Sequence, residues 1–226
     1  MTKLSVIIPI LNEEQSISFL LKELAGWCRE DDEVILVDGG SRDGGVSIAE
    51  KMGFHVVVSE RGRGRQMNRG ASLAEGAVFW FLHADSRISN IARSELDLIQ
   101  NNGACWGHFK ITIAGAKTVY RLIESFMNLR TRISRIATGD MGIFVKADVF
   151  RSIRGFPEID LMEDIELCKR LKFGKRFVSS QRLLVSERRW AAAGIYKTMC
   201  LMWVLRLAWF FGVSDQTLSR IYYREK

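Results

Sequence analysis

The chain has 226 residues, 47% hydrophobic and 26% charged, a balance that suits one large folded domain with a substantial core and excludes extensive disorder. Lys and Arg outnumber acids by 33 to 26, a formal +7. That charge suits an anionic ligand or an anionic membrane surface, and no nucleic-acid-binding motif accompanies the basic clusters, so nucleic acid is not expected as a partner. Cys28, Cys105, Cys168 and Cys200 lie far apart with no Cys-x-x-Cys pair, which argues against a zinc site or a disulfide framework. With an N-terminal apolar run too short for a signal peptide, they predict a reducing, cytoplasmic setting.

Leu4 to Ile10 is apolar and β-branched, with Pro9 at its end where no ladder donor is needed, and reads as the first strand. Ile17, Leu20, Leu21 and Leu24 recur at helical spacing up to Gly26, predicting a helix capped by Asn12 or a neighbour. Glu13 and Glu14 suit that helix's N-terminus on electrostatic grounds alone. Val34 to Val37 is a second buried strand, closed by Asp38-Gly39-Gly40-Ser41-Arg42-Asp43-Gly44. Strand, helix, strand with tight connections predicts a right-handed unit and a parallel sheet.

Val46 to Met52 reads as a short helix and His55 to Val58 as a third strand. In Arg61-Gly62-Arg63-Gly64-Arg65-Gln66-Met67-Asn68-Arg69, glycines let backbone approach a ligand and arginines offer forked donors to phosphate; a solvated basic loop is the alternative. A helix over 66–74 then leads into Val78-Phe79-Trp80-Phe81-Leu82, which stops abruptly at His83-Ala84-Asp85-Ser86. Ligands of open α/β sheets bind beyond the carboxyl ends of strands, so Asp85 is placed to hold a metal and, through it, a phosphate; a turn or cap role is the alternative. Neither a P-loop nor a dinucleotide-binding fingerprint follows the first strand.

Asn90 to Gln100 reads as an amphipathic helix, Ala104 to Ile113 as a strand, and Lys117 to Ile136 as a long helix whose arginines mostly face solvent. Gly139-Asp140-Met141-Gly142 runs into a strand at Ile143 to Val145. Glu163 and Asp164 open a helix through Leu171, where the macrodipole favours two acids without any catalysis. Tyr196 to Val213 is nearly all apolar, yet Lys197 and Arg206 interrupt it, so it reads as a helix lying on something rather than spanning a membrane. Burial against the domain, a homodimer interface and a membrane surface with snorkelling Lys and Arg all remain open.

Taken together, Val6-Ile7-Ile8-Pro9 with Asn12-Glu13, Val37 to Gly44, the acid ending the fourth strand, Gly139 to Gly142, Met162-Glu163-Asp164 and Arg188-Arg189-Trp190 resemble, in this order, the motifs of family 2 glycosyltransferases of the GT-A fold. The resemblance is nearest to a compact bacterial subgroup carrying Gly-Arg-x-Arg-Gln-Met-Asn and Leu-His-Ala-Asp, present here as Gly62 to Asn68 and Leu82 to Asp85. It implies an α/β architecture, a mostly parallel sheet flanked by helices, with a GT-A domain over 1–190 and a hydrophobic helical extension over 191–226. It also implies a donor set that takes in Pro9, Asn12, Glu13, Asp38, Gly40, Arg63, Arg65, Asn68, His83 and Asp85. Within it, Glu13 and Asp38 bind the nucleoside, Arg65 helped by Arg63 faces the diphosphate, and Asp85 is the ligand of Mg²⁺ or Mn²⁺.

Gly139 and Asp140 would line the donor-sugar and acceptor pocket, Asp164 would be the general base supported by Glu163, and Arg189 would clamp the diphosphate with Arg188. Trp190 would line the acceptor site, packing being its alternative role. Two positions depart from the family pattern. His83 stands where the first acid of the Asp-x-Asp metal element belongs, leaving it either as a Mn²⁺ ligand or as a packing residue. Ser186 replaces the Gln of the signature of processive members, which favours transfer of a single residue. The implied reaction is inverting transfer from a nucleoside-diphosphate sugar, a UDP-sugar by preference, to a hydroxyl of a lipid or small-molecule acceptor, at the inner face of the cell membrane if the acceptor is a lipid. A nucleotidyltransferase making nucleotide sugars and a non-catalytic nucleotide-sugar-binding module are the alternatives.

Overall fold

The computed structural model describes residues 3–188 and 194–224. Seven strands form one sheet in the order β3-β2-β1-β4-β6-β5-β7. They are β1 (Leu4–Ile10), β2 (Glu33–Asp38), β3 (His55–Val58), β4 (Val78–Phe81), β5 (Trp106–Ile113), β6 (Phe144–Lys146) and β7 (Arg176–Val185). The first four run parallel, β6 is antiparallel to both β4 and β5, and β7 is parallel to β5. The helices are α1 (Glu14–Trp27), α2 (Gly45–Lys51), α3 (Arg63–Leu73), α4 (Ser94–Asn101), α5 (Thr118–Ser134), α6 (Ala147–Ser152), α7 (Glu163–Leu171), α8 (Ile195–Phe210) and α9 (Asp215–Arg224).

The continuous apolar runs of β1 and β4 follow from burial on both faces. Leu4, Val6, Ile8 and Ile10 of β1 join Val78 and Trp80 of β4 in a core with Ile17, Leu20, Leu21 and Leu24 of α1. On the opposite face, Ile7, Phe79 and Phe81 pack with Met67 and Ala71 of α3. A third cluster joins Leu161, Met162 and Ile165 to Leu205 of α8 and to Leu218 and Tyr222 of α9, fastening the C-terminal helices to the start of α7. Among the described residues, no helix is long and apolar enough to cross a membrane.

The first helix is not capped by Asn12. Glu13 is its N-cap residue and makes no side-chain cap; instead Asp43 Oδ2, from the loop after β2, accepts from Glu14 N at 2.9 Å. Asn12 sits in the left-handed region at φ 56° and its side chain accepts from Arg42 N at 2.8 Å, so it fastens the loop after β1 to the loop after β2.

The helix expected over 66–74 starts earlier, inside the glycine-arginine stretch. Helix α3 begins at Arg63, with Gly62 turning into it at φ 139°. A Cβ on Gly64 would lie 2.6 Å from the Pro157 carbonyl oxygen, so glycine there lets the helix rest against backbone.

Candidate active site

A cavity of about 920 Å³ opens at the carboxyl ends of β1 and β4. Pro9 lines it from the end of β1, Leu11 and Glu13 from the loop that follows, His83 and Asp85 from beyond β4, Arg61 from the turn before α3, and Arg63 and Gln66 from the start of α3. The far wall comes from Arg188 beyond β7, Lys197 of α8, and Arg220 and Tyr223 of α9. Five cationic side chains and the three carboxylates of Glu13, Asp85 and Asp160 face this space, which favours a polyanionic ligand. Glu13 pairs with Arg188 at 3.1 Å across the mouth, and Arg61 lies over the Tyr223 ring at 5.4 Å.

Gln66 is 3% exposed, and its Nε2 donates to Ile10 O at 2.9 Å and to Val37 O at 2.7 Å. It fixes the ends of β1 and β2 relative to each other, and hence the loops that bear Glu13 and Asp38. The expected nucleoside acid Asp38 accepts from Ser41 N at 3.0 Å and Gly40 N at 3.1 Å and is 7% exposed. Asn12, Asp38 and Gly40 therefore build the loops beside the cavity rather than line it. Arg65 is held at the cavity's edge by its partners: its Nη1 donates to Asp160 Oδ1 and Arg61 O, both at 3.2 Å, and of the two arginines expected at the diphosphate Arg63 is the one that lines the cavity. Asn68 exchanges two hydrogen bonds with the Phe156 backbone, each 2.9 Å, and so holds the turn before α7.

A second, narrower cavity of about 160 Å³ meets the first at Arg63, His83 and Asp85. Gly139, Asp140, Glu163 and Asp164 line it. Asp164 Oδ2 accepts from Gly139 N at 3.0 Å and Oδ1 from Ile165 N at 2.7 Å, which fixes the carboxylate. A Cβ on Gly139 would lie 2.6 Å from His83 Nε2, so that glycine lets the segment holding Asp164 pass close beside the end of β4.

Burial is the main reason that both acids hold their protons more tightly than usual. It pushes Glu163 up to about 7, with the Asp164 charge adding to the rise and Arg63, 3.8 Å away, opposing it. Burial raises Asp164 too, against its two backbone donors. Arg63 itself is disfavoured by burial, yet Glu163, Tyr222 and Tyr223 hold its guanidinium above its ordinary range.

The two carboxyls titrate as a pair, with Glu163 losing its proton near 7, so a reaction that needs the pair's charged form is expected to slow as pH drops through that region. In Glu163→Gln the remaining carboxylate no longer faces a like charge, and the acid limb of kcat against pH is expected to move to lower pH. An unmoved limb would assign that ionisation elsewhere.

Arg189 and Trp190 lie outside the described residues. The contributions of Gln66, Lys197, Arg220 and Tyr223 were not anticipated from sequence. The Leu218 and Tyr222 spacing signals a helix, but no local signal places that helix over a cavity.

Comparison with known proteins supplies the wider setting. The curated relatives include a glycosyltransferase, AglE, of Haloferax volcanii, 26% identical over 68% of this chain and 55% of that one. An undecaprenyl-phosphate 4-deoxy-4-formamido-L-arabinose transferase of Sodalis glossinidius is 27% identical over 64% and 48%. The chain spans about half the length of these relatives.

Among solved structures, residues 1–349 of S. aureus TarS in complex with UDP-GlcNAc superpose with a TM-score of 0.65 at 23% identity, covering 82% of this chain and 59% of that one. The mannosyltransferase PcManGT of Pyrobaculum calidifontis, in complex with GDP-Man and Mn²⁺, gives 0.64 at 20% identity, covering 81% and 56%. The architecture is thus the GT-A fold anticipated from the motifs. The profile of Glycosyl transferase family 2 matches residues 5–154, the greater part of the chain and all of its sheet from β1 to β6, and the protein therefore belongs to glycosyltransferase family 2.

Proposed function

We propose that the protein is an inverting, non-processive glycosyltransferase that moves a sugar from a UDP-sugar to a hydroxyl acceptor with the help of a divalent cation. The observation that carries this reading is the meeting of two cavities at Arg63, His83 and Asp85, a cationic one beyond the strand ends and a narrow one lined by the buried Glu163–Asp164 pair. A donor diphosphate in the first would present its sugar toward the second. Asp164 would accept the acceptor hydroxyl's proton as that oxygen attacks the anomeric carbon and the bond to the diphosphate breaks. Arg63, beside both cavities, would face the charge that develops on the leaving group. The complexes of TarS with UDP-GlcNAc and of PcManGT with GDP-Man and Mn²⁺ support a nucleoside-diphosphate sugar and a cation.

The donor set fits Mg²⁺ or Mn²⁺ only in part. Among the described residues no group of three His, Cys, Asp or Glu could hold a metal. Asp85, with His83 beside it in the same cavity, offers one carboxylate and one imidazole. Such a set suits an ion that keeps water and takes substrate phosphate oxygens as its remaining ligands. Bound there, the cation supplies charge neutralisation at the diphosphate.

Nucleotide and metal should accordingly bind together. Calorimetric titration is expected to show UDP affinity rising about tenfold or more with Mn²⁺, Mn²⁺ alone binding weakly, and Asp85→Asn abolishing the metal effect. A folded chain that binds neither UDP nor GDP under any of these conditions would overturn the donor-site assignment. Pyrophosphate release from UTP and a sugar phosphate would point to nucleotidyl transfer instead.

A further inference from the structure

We propose that the cleft between α5 and α8 receives the apolar chain of a lipid acceptor, drawn from an anionic membrane surface on which these two helices lie. The inference rests on the transferase reading of the Asp164 site and names the class of acceptor that the site takes.

The narrow cavity that ends at Asp164 is walled by Ile123, Phe126 and Met127 of α5 and by Met199, Met202 and Trp203 of α8. Such walls suit an aliphatic chain, and methionine adapts to its shape. The floor is different. Arg130 Nε, Thr138 Oγ1 and Asp140 Oδ1 are buried there with no hydrogen-bond partner among the described residues. Buried polar atoms are ordinarily paired, so one donor and two acceptors gathered beside Asp164 fit a polar head that carries hydroxyl or anionic oxygens. Polar floor and apolar walls together describe an amphiphile with its head at the base.

The rim of the cleft continues onto an exposed apolar face. On α5, Leu122, Phe126, Leu129 and Ile133 follow one another at spacings of four, three and four and are 69, 41, 54 and 76% exposed. On α8, Trp203, Val204, Leu207 and Phe210 are 49 to 82% exposed, and the Phe126 and Trp203 rings stand 5.2 Å apart across the mouth. A contiguous apolar patch of this kind marks an interaction surface.

Its charge selects the partner. Helix α8 contains no acid, and the only acid of α5, Glu124, is buried, accepting from Ile113 N and pairing with Arg121. Arg121 and Arg132 of α5 are exposed beside Leu122 and Ile133. An apolar face edged by cations fits anionic headgroups over acyl chains. A second copy of the chain would set these cations against one another.

The test uses the full chain with phosphatidylglycerol–phosphatidylcholine vesicles, pure phosphatidylcholine vesicles, and vesicles carrying phosphatidylglycerol with a diazirine at its chain end. The wild type is expected to pellet with the anionic vesicles and not with the neutral ones. Photolysis is expected to label peptides containing Met127, Met199 and Met202. The Leu207→Glu/Phe210→Glu double variant is expected to lose pelleting by about tenfold or more while still binding UDP with Mn²⁺.

Failure to pellet, or labels confined to Phe210 and Phe211, would overturn the proposal. So would a dimer, seen by light scattering without vesicles, that the double variant dissolves, because a second copy would then cover the face. A chain that pellets and is labelled in the cleft but binds neither UDP nor GDP would instead overturn the transferase reading and leave the membrane face standing.

Discussion

Asp164→Asn is expected to lower sugar transfer by about 10²- to 10⁴-fold, the usual contribution of a positioned general base, while UDP and Mn²⁺ binding stay at wild-type strength. The amide keeps the size of the side chain, and its Oδ1 can still accept from one backbone donor, so the segment around Gly139 should hold its place. What disappears is the group that the proposed mechanism uses to take the acceptor's proton. Burial of the native carboxylate makes it a stronger base than an exposed aspartate, which is the property that such a role requires. The measurement is kcat with donor and acceptor saturating, alongside calorimetry with UDP. Near-wild-type kcat in a folded variant would remove Asp164 from the base role. Loss of UDP binding together with kcat would mean that the carboxylate supports the donor cavity rather than the chemistry. Glu163→Gln should behave differently, retaining more activity and displacing the pH profile.

The strands that bear the donor cavity were legible because burial on both faces turns β1, β2 and β4 into unbroken apolar runs. Strand β7 was not, because it lies at the edge of the sheet and its sequence, with Arg176, Ser180, Gln181 and Arg182, lacks such a run. The helix expected from Gln66 begins earlier, at Arg63, for a physical reason. Its glycines signal a loop by propensity, but packing of α3 against the Pro157 carbonyl overrides propensity and makes the segment helical.

That change of state decides which arginine lines the cavity. Two residues along a helix differ by roughly 200° around its axis, so Arg63 and Arg65 leave it in different directions, Arg65 toward Asp160 at the cavity's edge. The acid pair at the start of α7 carried two equal readings in sequence, a macrodipole pair or a catalytic pair, until the motif order was considered. Burial of Glu163 to 5% exposure depends on α3, α8 and α9 together and has no local signature.

Arg93→Ala is expected to cost about 3–5 kcal/mol of stability, the penalty for leaving a buried charge without its partner. Arg93 meets Asp32 through Nε and Nη2, both at 2.7 Å, reaches Asp97 at 3.1 Å, and lies over the Trp27 ring at 5.7 Å. The side chains of Arg93 and Asp32 are 8% and 1% exposed. Asp32 also accepts from Leu4 N at 3.0 Å and Arg29 N at 2.9 Å, so this one carboxylate joins the start of β1, the end of α1 and the start of α4. Without the guanidinium, two backbone donors remain to support a buried anion.

Burial opposes the charge of Asp32, but Arg93 and the two amides prevail and hold its carboxyl below its ordinary value. A carboxylate with a lowered folded-state pKa contributes stability that is full above the unfolded value and is lost as pH falls through the folded one. The gap between wild type and Arg93→Ala in urea unfolding should therefore be widest near neutral pH and shrink below about pH 4, as Asp32 takes up its proton. Arg93→Met combined with Asp32→Asn should recover much of the loss, since both charges leave together and the amide oxygen still accepts from one of the two amides. A gap that stays constant from neutral to acid pH would show that Arg93 acts through packing on Trp27 rather than through the ion pair.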